Sequence, residues 1–319
     1  MSNNKSKDRA VVGLMALVAV FFVVLILFSV YTVNIFKGSN DYIASSSTKS
    51  KDKIALIEVE GVIMESKKVI ELLHKAEADE AVKGIILRVN SPGGAVAPTQ
   101  EIYQEILRIR GVGQYKEITK KPKPIYASFS SIAASGGYYI GAATEKICSS
   151  PGTLTGSIGV IMQFVDLSEL YKFAMVNPQT IKAGRYKDIG QPNRSMTPEE
   201  RDLMERMTRD VHKQFIDDVS AQRKERLTSP INEVAQGQVF SGAQAKKLGL
   251  VDDLVGLWPC ARGLHKTLEL EGDLNLSEIK IKKKSNFFSL IQDLEDVKGA
   301  VSSFVEYVKM SNSTNIMYK

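Results

Sequence analysis

From Ala10 to Val33 the chain carries no charged residue. At about 1.5 Å per residue, such a run crosses a hydrocarbon core of about 30 Å as a helix. The pattern predicts a single membrane anchor over residues 10–36, behind a short N-terminus, 1–9. A cleaved signal peptide would have a shorter apolar core and end in an A-x-A-like site, which this segment lacks. Lys5, Lys7 and Arg9 precede the run and Lys37, Lys49, Lys51 and Lys53 follow it, so charge bias alone does not orient it.

Residues 37–53 are rich in Ser and Lys without apolar periodicity and read as a flexible linker. The folded domain is predicted over 54–270. IALIEVEGVI is β-rich, Val69 to Ala78 is helical, and GIILRVN is a short, continuous apolar run of the kind buried in a parallel sheet. That run feeds the turn SPGG and then an amphipathic helix with Ile102, Ile106 and Ile109 on one face. PIYASFS, SIAASGG and YYIGAA repeat the order, so two strand-turn-helix units stand in tandem and predict an α/β class.

Thr197-Pro198-Glu199-Glu200 is a capping box with Pro at the first helical position, and Leu203, Met207, Val211, Phe215 and Val219 follow at intervals of four. Ser241 opens a short helix that stops at Gly249, and LVDDLVGLW reads as a terminal strand and turn. Residues 271–319 form a C-terminal extension. There a Lys cluster at 280, 282, 283 and 284 precedes an amphipathic stretch from Phe287 to Val308, suited to docking on the domain, on another subunit or on a membrane surface.

With 44% hydrophobic and 24% charged residues, the 319-residue chain has the apolar content of a globular protein rather than a disordered one. The net charge of +6 is scattered among acidic residues and forms no aromatic-interleaved stripe, so nucleic acid is not an expected partner. Cys148 and Cys260 are the only cysteines, and no His/Cys cluster suggests a metal. Cys148 follows an Ala- and Ile-rich stretch and reads as a small buried apolar side chain, which weighs against a single bridge between the two but leaves one open.

Three histidines are present. His74 and His212 lie in polar helical stretches and His265 near the end of the domain, none in a setting that suggests a Ser-His-Asp triad. The two Gly-rich turns carry more. Gly93 and Gly94 leave backbone amides unobstructed before a helix, where negative charge on a tetrahedral intermediate could be held. Ser135, flanked by Ala134 and Gly136, starts the other helix, and the Gly136 amide would serve as a second donor. Read blandly, both are tight turns, one with a capping Ser. A serine nucleophile needs a base, and a lysine can serve once burial brings its pKa from about 10.4 toward about 7, at a cost of about 4–5 kcal/mol. Lys182 and Lys187, both in TIKAGRYKDIGQP, qualify equally on this ground.

NSPGGAV, SIAASGGYYIGAA, LTGSIGV, IKAGRYKDIGQP and VFSGAQAKKLGLVDDL, in that order behind one N-terminal apolar run, resemble the bacterial signal peptide peptidase A family in its short, single-repeat form. The resemblance covers about residues 54–260. It implies a Clp-protease/crotonase-like fold of repeated ββα units and a Ser-Lys dyad needing no cofactor. Carried over by motif, Ser135 is the nucleophile, Lys187 the base, Ser157 a hydroxyl that hydrogen-bonds the lysine, and Gly94 and Gly136 the oxyanion donors. Lys182 is left a structural or solvent-facing role. The resemblance also implies a homo-oligomer with serine and lysine from adjacent subunits. The expected localisation is the bacterial cytoplasmic membrane, with the catalytic domain outside, acting on cleaved signal peptides. A crotonase-type acyl-CoA enzyme would share the paired turns without needing Ser135 or Lys187, and a non-catalytic membrane scaffold could keep the fold alone.

Overall fold

In a computed structural model the described residues are 52–280; the predicted anchor over 10–36, nearly all of the linker, and the amphipathic stretch after Lys280 lie outside them. Among the described residues no helix is long and apolar enough to cross a membrane.

Strands β1 (Lys53–Glu60), β2 (Val82–Ser91) and β3 (Ile125–Ala134) form the centre of the molecule. Ile54–Ile57, Gly84–Leu87 and Ile125–Phe129 are buried without a break, as strands covered on both faces require. They pair in parallel, with Leu56 opposite Ile86 and Ile86 opposite Tyr126. Short strands β4 (Lys146–Cys148) and β5 (Leu154–Gly156) both pair with β3, β6 (Val239–Ser241) lies antiparallel to β5, and β7 (Leu276–Glu278) closes the other edge beside β1. The order is β6-β5-β3-β2-β1-β7.

Alternation along the strands divides the core. Ile54, Leu56, Ile86 and Tyr126 meet Cys260, Ala261 and Leu264 of a late helix, Leu257–Thr267. The opposite face carries α1 (Lys67–Ala78), which buries Val69, Leu72, Leu73 and Ala76, and the first tandem unit's helix α2 (Val96–Arg110), which buries Ile102, Ile106 and Ile109. The next helix, α3 (Gly136–Ala142), is buried at every residue.

Beyond a six-residue helix, α4 (Ser168–Phe173), the capping box opens α5 (Pro198–Arg223) as expected: the Glu200 amide donates to Thr197 Oγ1 at 3.2 Å and the Thr197 amide to Glu200 Oε2 at 2.9 Å. At its far end Arg223 is fully buried and forks onto Asp252 at 2.7 and 3.0 Å, while Asp252 also accepts the Ile147 amide. This anchors α5 to β4.

Two expectations are corrected. Cys148 and Cys260 are disulfide-bonded, with Cα atoms 6.1 Å apart, so the buried setting read from Cys148 holds while the weight it put against a bridge does not. The two lie 112 residues apart, and only the packing of the late helix on β4 brings them together. LVDDLVGLW is no strand: it makes one isolated bridge, Cys148 to Asp253, and by Leu257 has become a helix, because the Asp252 carboxylate, not its backbone carbonyl, takes the Ile147 amide and the ladder stops there.

Candidate active site

Parallel pairing sends neighbouring strands out at the same end. Ser91 of β2 lies opposite Ala133 of β3, and Ala134 lies opposite Gly156 of β5. The SPGG turn, Ser135 and Ser157 therefore emerge side by side.

The SPGG turn is fixed from both sides. The Gly93 amide donates to Ser91 Oγ at 3.1 Å, the Ile63 amide donates to the Gly93 carbonyl at 2.9 Å, and the Ala95 amide donates to the Ile63 carbonyl at 2.8 Å. This parallel bridge, Ile63 with Gly94, uses the Gly93 carbonyl and the Ala95 amide and leaves Gly94's own amide out of the ladder. A side chain at Gly94 would collide with the Ile63 backbone, and one at Gly136 would come within 3.3 Å of the Gly94 nitrogen. The two glycines thus face each other. As the first residue of α3, Gly136 has no intrahelical acceptor for its amide.

Ser135 sits at φ 52° and ψ −120°, outside the basins an L-residue ordinarily occupies. Such a conformation costs about 1–3 kcal/mol and persists only where the surroundings hold it. Here they do: its amide donates to the Gly156 carbonyl at 2.9 Å and its carbonyl accepts the Tyr139 amide at 2.9 Å. The side chain is half-buried, and its hydroxyl makes no hydrogen bond among the described residues. Ser157, also at φ 52°, is held through its amide to the Gln238 carbonyl at 2.7 Å.

Against Ser135 and Gly136 lies a small cavity of about 40 Å³, walled by Val96, Thr99, Tyr139, Val160, Val211 and Phe215. Its floor is aromatic, with the Tyr139 and Phe215 ring centroids 4.6 Å apart and Tyr103 4.8 Å from Tyr139. Burial, reinforced by a hydrogen bond to Asp218, holds the Tyr139 phenol protonated well above its ordinary range. Desolvation in turn raises Asp218, partly offset by that same hydrogen bond. In the sequence Val211 and Phe215 read only as a helix's core face, and nothing local marks Val96, Thr99, Tyr139 or Val160 as a cavity wall.

Lys187 is not brought to this cavity within one chain. It is exposed on the long segment between β5 and α5, with its amide donating to the Gly184 carbonyl at 3.3 Å. Lys182 is ion-paired, its Nζ 2.5 Å from Asp188 Oδ1 and 3.1 Å from the Arg185 carbonyl. In this pairing the two lysines differ. His212 Nε2 lies 3.2 Å from the Ile158 carbonyl and His74 Nε2 2.7 Å from Glu105, so both are occupied in structural contacts.

Residues 117–270 match the sequence profile of Peptidase family S49. A chain of Synechocystis sp. named as a protease is 38% identical over 209 residues, spanning 65% of this chain and 71% of the relative. An Enterococcus faecium chain named for signal peptide peptidase SppA is 34% identical over 286 residues, spanning 85% and 76%. The chloroplastic serine protease SPPA of Arabidopsis thaliana is 32% identical over 224 residues, covering 66% of this chain and 32% of the plant protein.

Proposed function

This chain belongs to peptidase family S49, in its signal peptide peptidase A branch, and from that premise we propose that it is a membrane-anchored serine endopeptidase working through Ser135 and Lys187. One observation carries the reading. Ser135 is held at an unfavourable backbone angle with a free hydroxyl, at the point where Gly94 and Gly136 approach each other. That is the layout of a strained nucleophile turn with two oxyanion donors, on what we take to be a Clp-protease/crotonase-like fold.

In the proposed reaction Ser135 Oγ attacks the substrate carbonyl as its proton passes to the neutral Lys187 amine. The Gly94 and Gly136 amides hold the oxyanion, and Ser157 hydrogen-bonds the lysine. Collapse breaks the peptide bond, and the lysine returns its proton to the leaving amine. Water then attacks the acyl-enzyme by the same route in reverse and regenerates Ser135.

Lys187 must be neutral and close to the hydroxyl. We propose that a homo-oligomer supplies both conditions, with the lysine of one subunit serving the serine of its neighbour. The segment carrying Lys187 favours this, since Ile161, Phe173, Met175 and Ile181 all present most of their side chains to solvent in a single chain. The small apolar cavity suits an apolar substrate side chain, as in cleaved signal peptides. The Cys148–Cys260 disulfide agrees with a catalytic domain outside the cytoplasm, tethered through residues 10–36.

The test is labelling with a serine-directed fluorophosphonate, alongside turnover of an apolar peptide by the full-length protein. Ser135→Ala should lose both, and Lys187→Ala should lose turnover while keeping its melting temperature. Full turnover by Ser135→Ala would end the proposal.

A further inference from the structure

Between residues 161 and 199 only Asp188, the residue after Lys187, is buried. The segment has one short helix and little apolar packing of its own, so polar contacts must fix it. Asp188, 6% exposed, accepts Arg194 Nε on Oδ2 at 2.9 Å, and Arg194 Nη2 on Oδ1, also at 2.9 Å, in a two-pronged pair. The other side of the same guanidinium donates to Glu200 at 2.8 and 2.6 Å. Glu200, 4% exposed, is the capping-box residue of α5, and α5 also contributes Val211 and Phe215 to the cavity wall. Lys182 completes the arrangement, tying the 182–188 turn shut through Asp188 and the Arg185 carbonyl. Lys187 is thus one peptide bond from a carboxylate that is referred, through a single planar guanidinium, to the helix lining the Ser135 cavity.

We propose that Asp188, Arg194 and Glu200 form a clasp that positions Lys187 for proton transfer, whichever subunit's serine it serves. This rests on the reading of Lys187 as the base. The three are positioning residues: none needs to touch substrate. Arginine suits the central place because its fork grips two carboxylates in fixed planes, which a lysine ammonium does not.

The experiment measures kcat, KM and melting temperature of full-length Asp188→Asn, Arg194→Ala, Arg194→Lys and Lys187→Ala, and of Asp188→Asn combined with Lys187→Ala. Misplacing a reacting group by about 1 Å costs on the order of 10²-fold. Asp188→Asn and Arg194→Ala should therefore lose about that much kcat with KM nearly unchanged, and Arg194→Lys should recover part of it. Because the clasp acts through Lys187, adding Asp188→Asn to Lys187→Ala should remove no further activity. Should Asp188→Asn fail to fold, Arg194→Lys carries the same comparison. An inactive Lys187→Ala beside an Asp188→Asn with wild-type kcat overturns the clasp alone, as does a loss that multiplies in the double variant. A fully active Lys187→Ala overturns the dyad and the clasp together.

Discussion

Gly93→Ala probes the geometry on which the proposed chemistry turns, with Gly61→Ala as its control. Both glycines have positive φ, 105° and 70°, so alanine at either pays the left-handed backbone cost of about 1–2 kcal/mol. They differ in what surrounds them. A Cβ at Gly61 has nothing within 4 Å, whereas one at Gly93 would lie 2.7 Å from the Gly136 nitrogen and 2.9 Å from Ser135 Cβ. Ordinary contact begins at 3.4 Å, so the Gly136 amide would have to recede by about 0.7 Å. Such a move stretches an oxyanion bond of about 2.9 Å to about 3.6 Å, beyond hydrogen-bond length. Loss of one such donor typically lowers kcat by about 10²–10³, or about 2.7–4 kcal/mol of transition-state stabilisation. Each variant should melt a few degrees lower, at about 2–4 °C per kcal/mol for a domain of this size. Only Gly93→Ala should lose turnover, in kcat more than in KM, read by steady-state hydrolysis of an apolar peptide below both melting points. Wild-type kcat in a folded Gly93→Ala would refute the assignment of the Gly136 amide. Equal losses in both variants would show that backbone strain, not the meeting of the two turns, is what matters.

Two further outcomes follow from charge and cross-linking. Replacing both cysteines with alanine, or reducing the bridge, should lower unfolding free energy by up to about 4–5 kcal/mol, since it frees a closed loop of 112 residues in the denatured chain; urea denaturation with and without reductant measures it. Hydrogen bonds from Arg194 hold Asp188 well below the usual carboxylate range and Glu200 down to about 2. Both folded-state values are depressed, so their stabilisation is complete above about pH 4.5 and is lost as pH falls toward 2, visible as acid-induced loss of melting temperature that Glu200→Gln flattens.

The parts legible in the sequence are those whose signal is local. Thr197-Pro198-Glu199-Glu200 contains its own donors and acceptors, so the start of α5 could be read from four residues. GIIL and IYA at the heart of GIILRVN and PIYASFS carry no charged residue and are buried because helices cover both faces, and the turn after the second exposes Ser135 because the strand ends there. What stayed hidden depends on partners distant in sequence. Nothing near Cys148 announces Cys260, and the aromatic floor joins Tyr139 to Phe215, 4.6 Å apart in space but on helices far apart in the chain. Asp188 beside Lys187 reads as a solvated charge pair, and only the fold shows the aspartate turned inward onto Arg194. Residue type and local sequence leave Lys182 and Lys187 equal, the motif alone favours Lys187, and only the fold shows the Lys182 amine paired with Asp188.

β1 begins at Lys53, where the chain enters the sheet, and its parallel partners β2 and β3 reach the SPGG and Ser135 turns at the opposite end. An eight-residue strand spans about 26 Å, so Ser135 stands roughly that far along the sheet from Lys53. On the proposed reading, a peptide is cut only where it meets that far end, about one strand length from the point at which the chain enters the sheet.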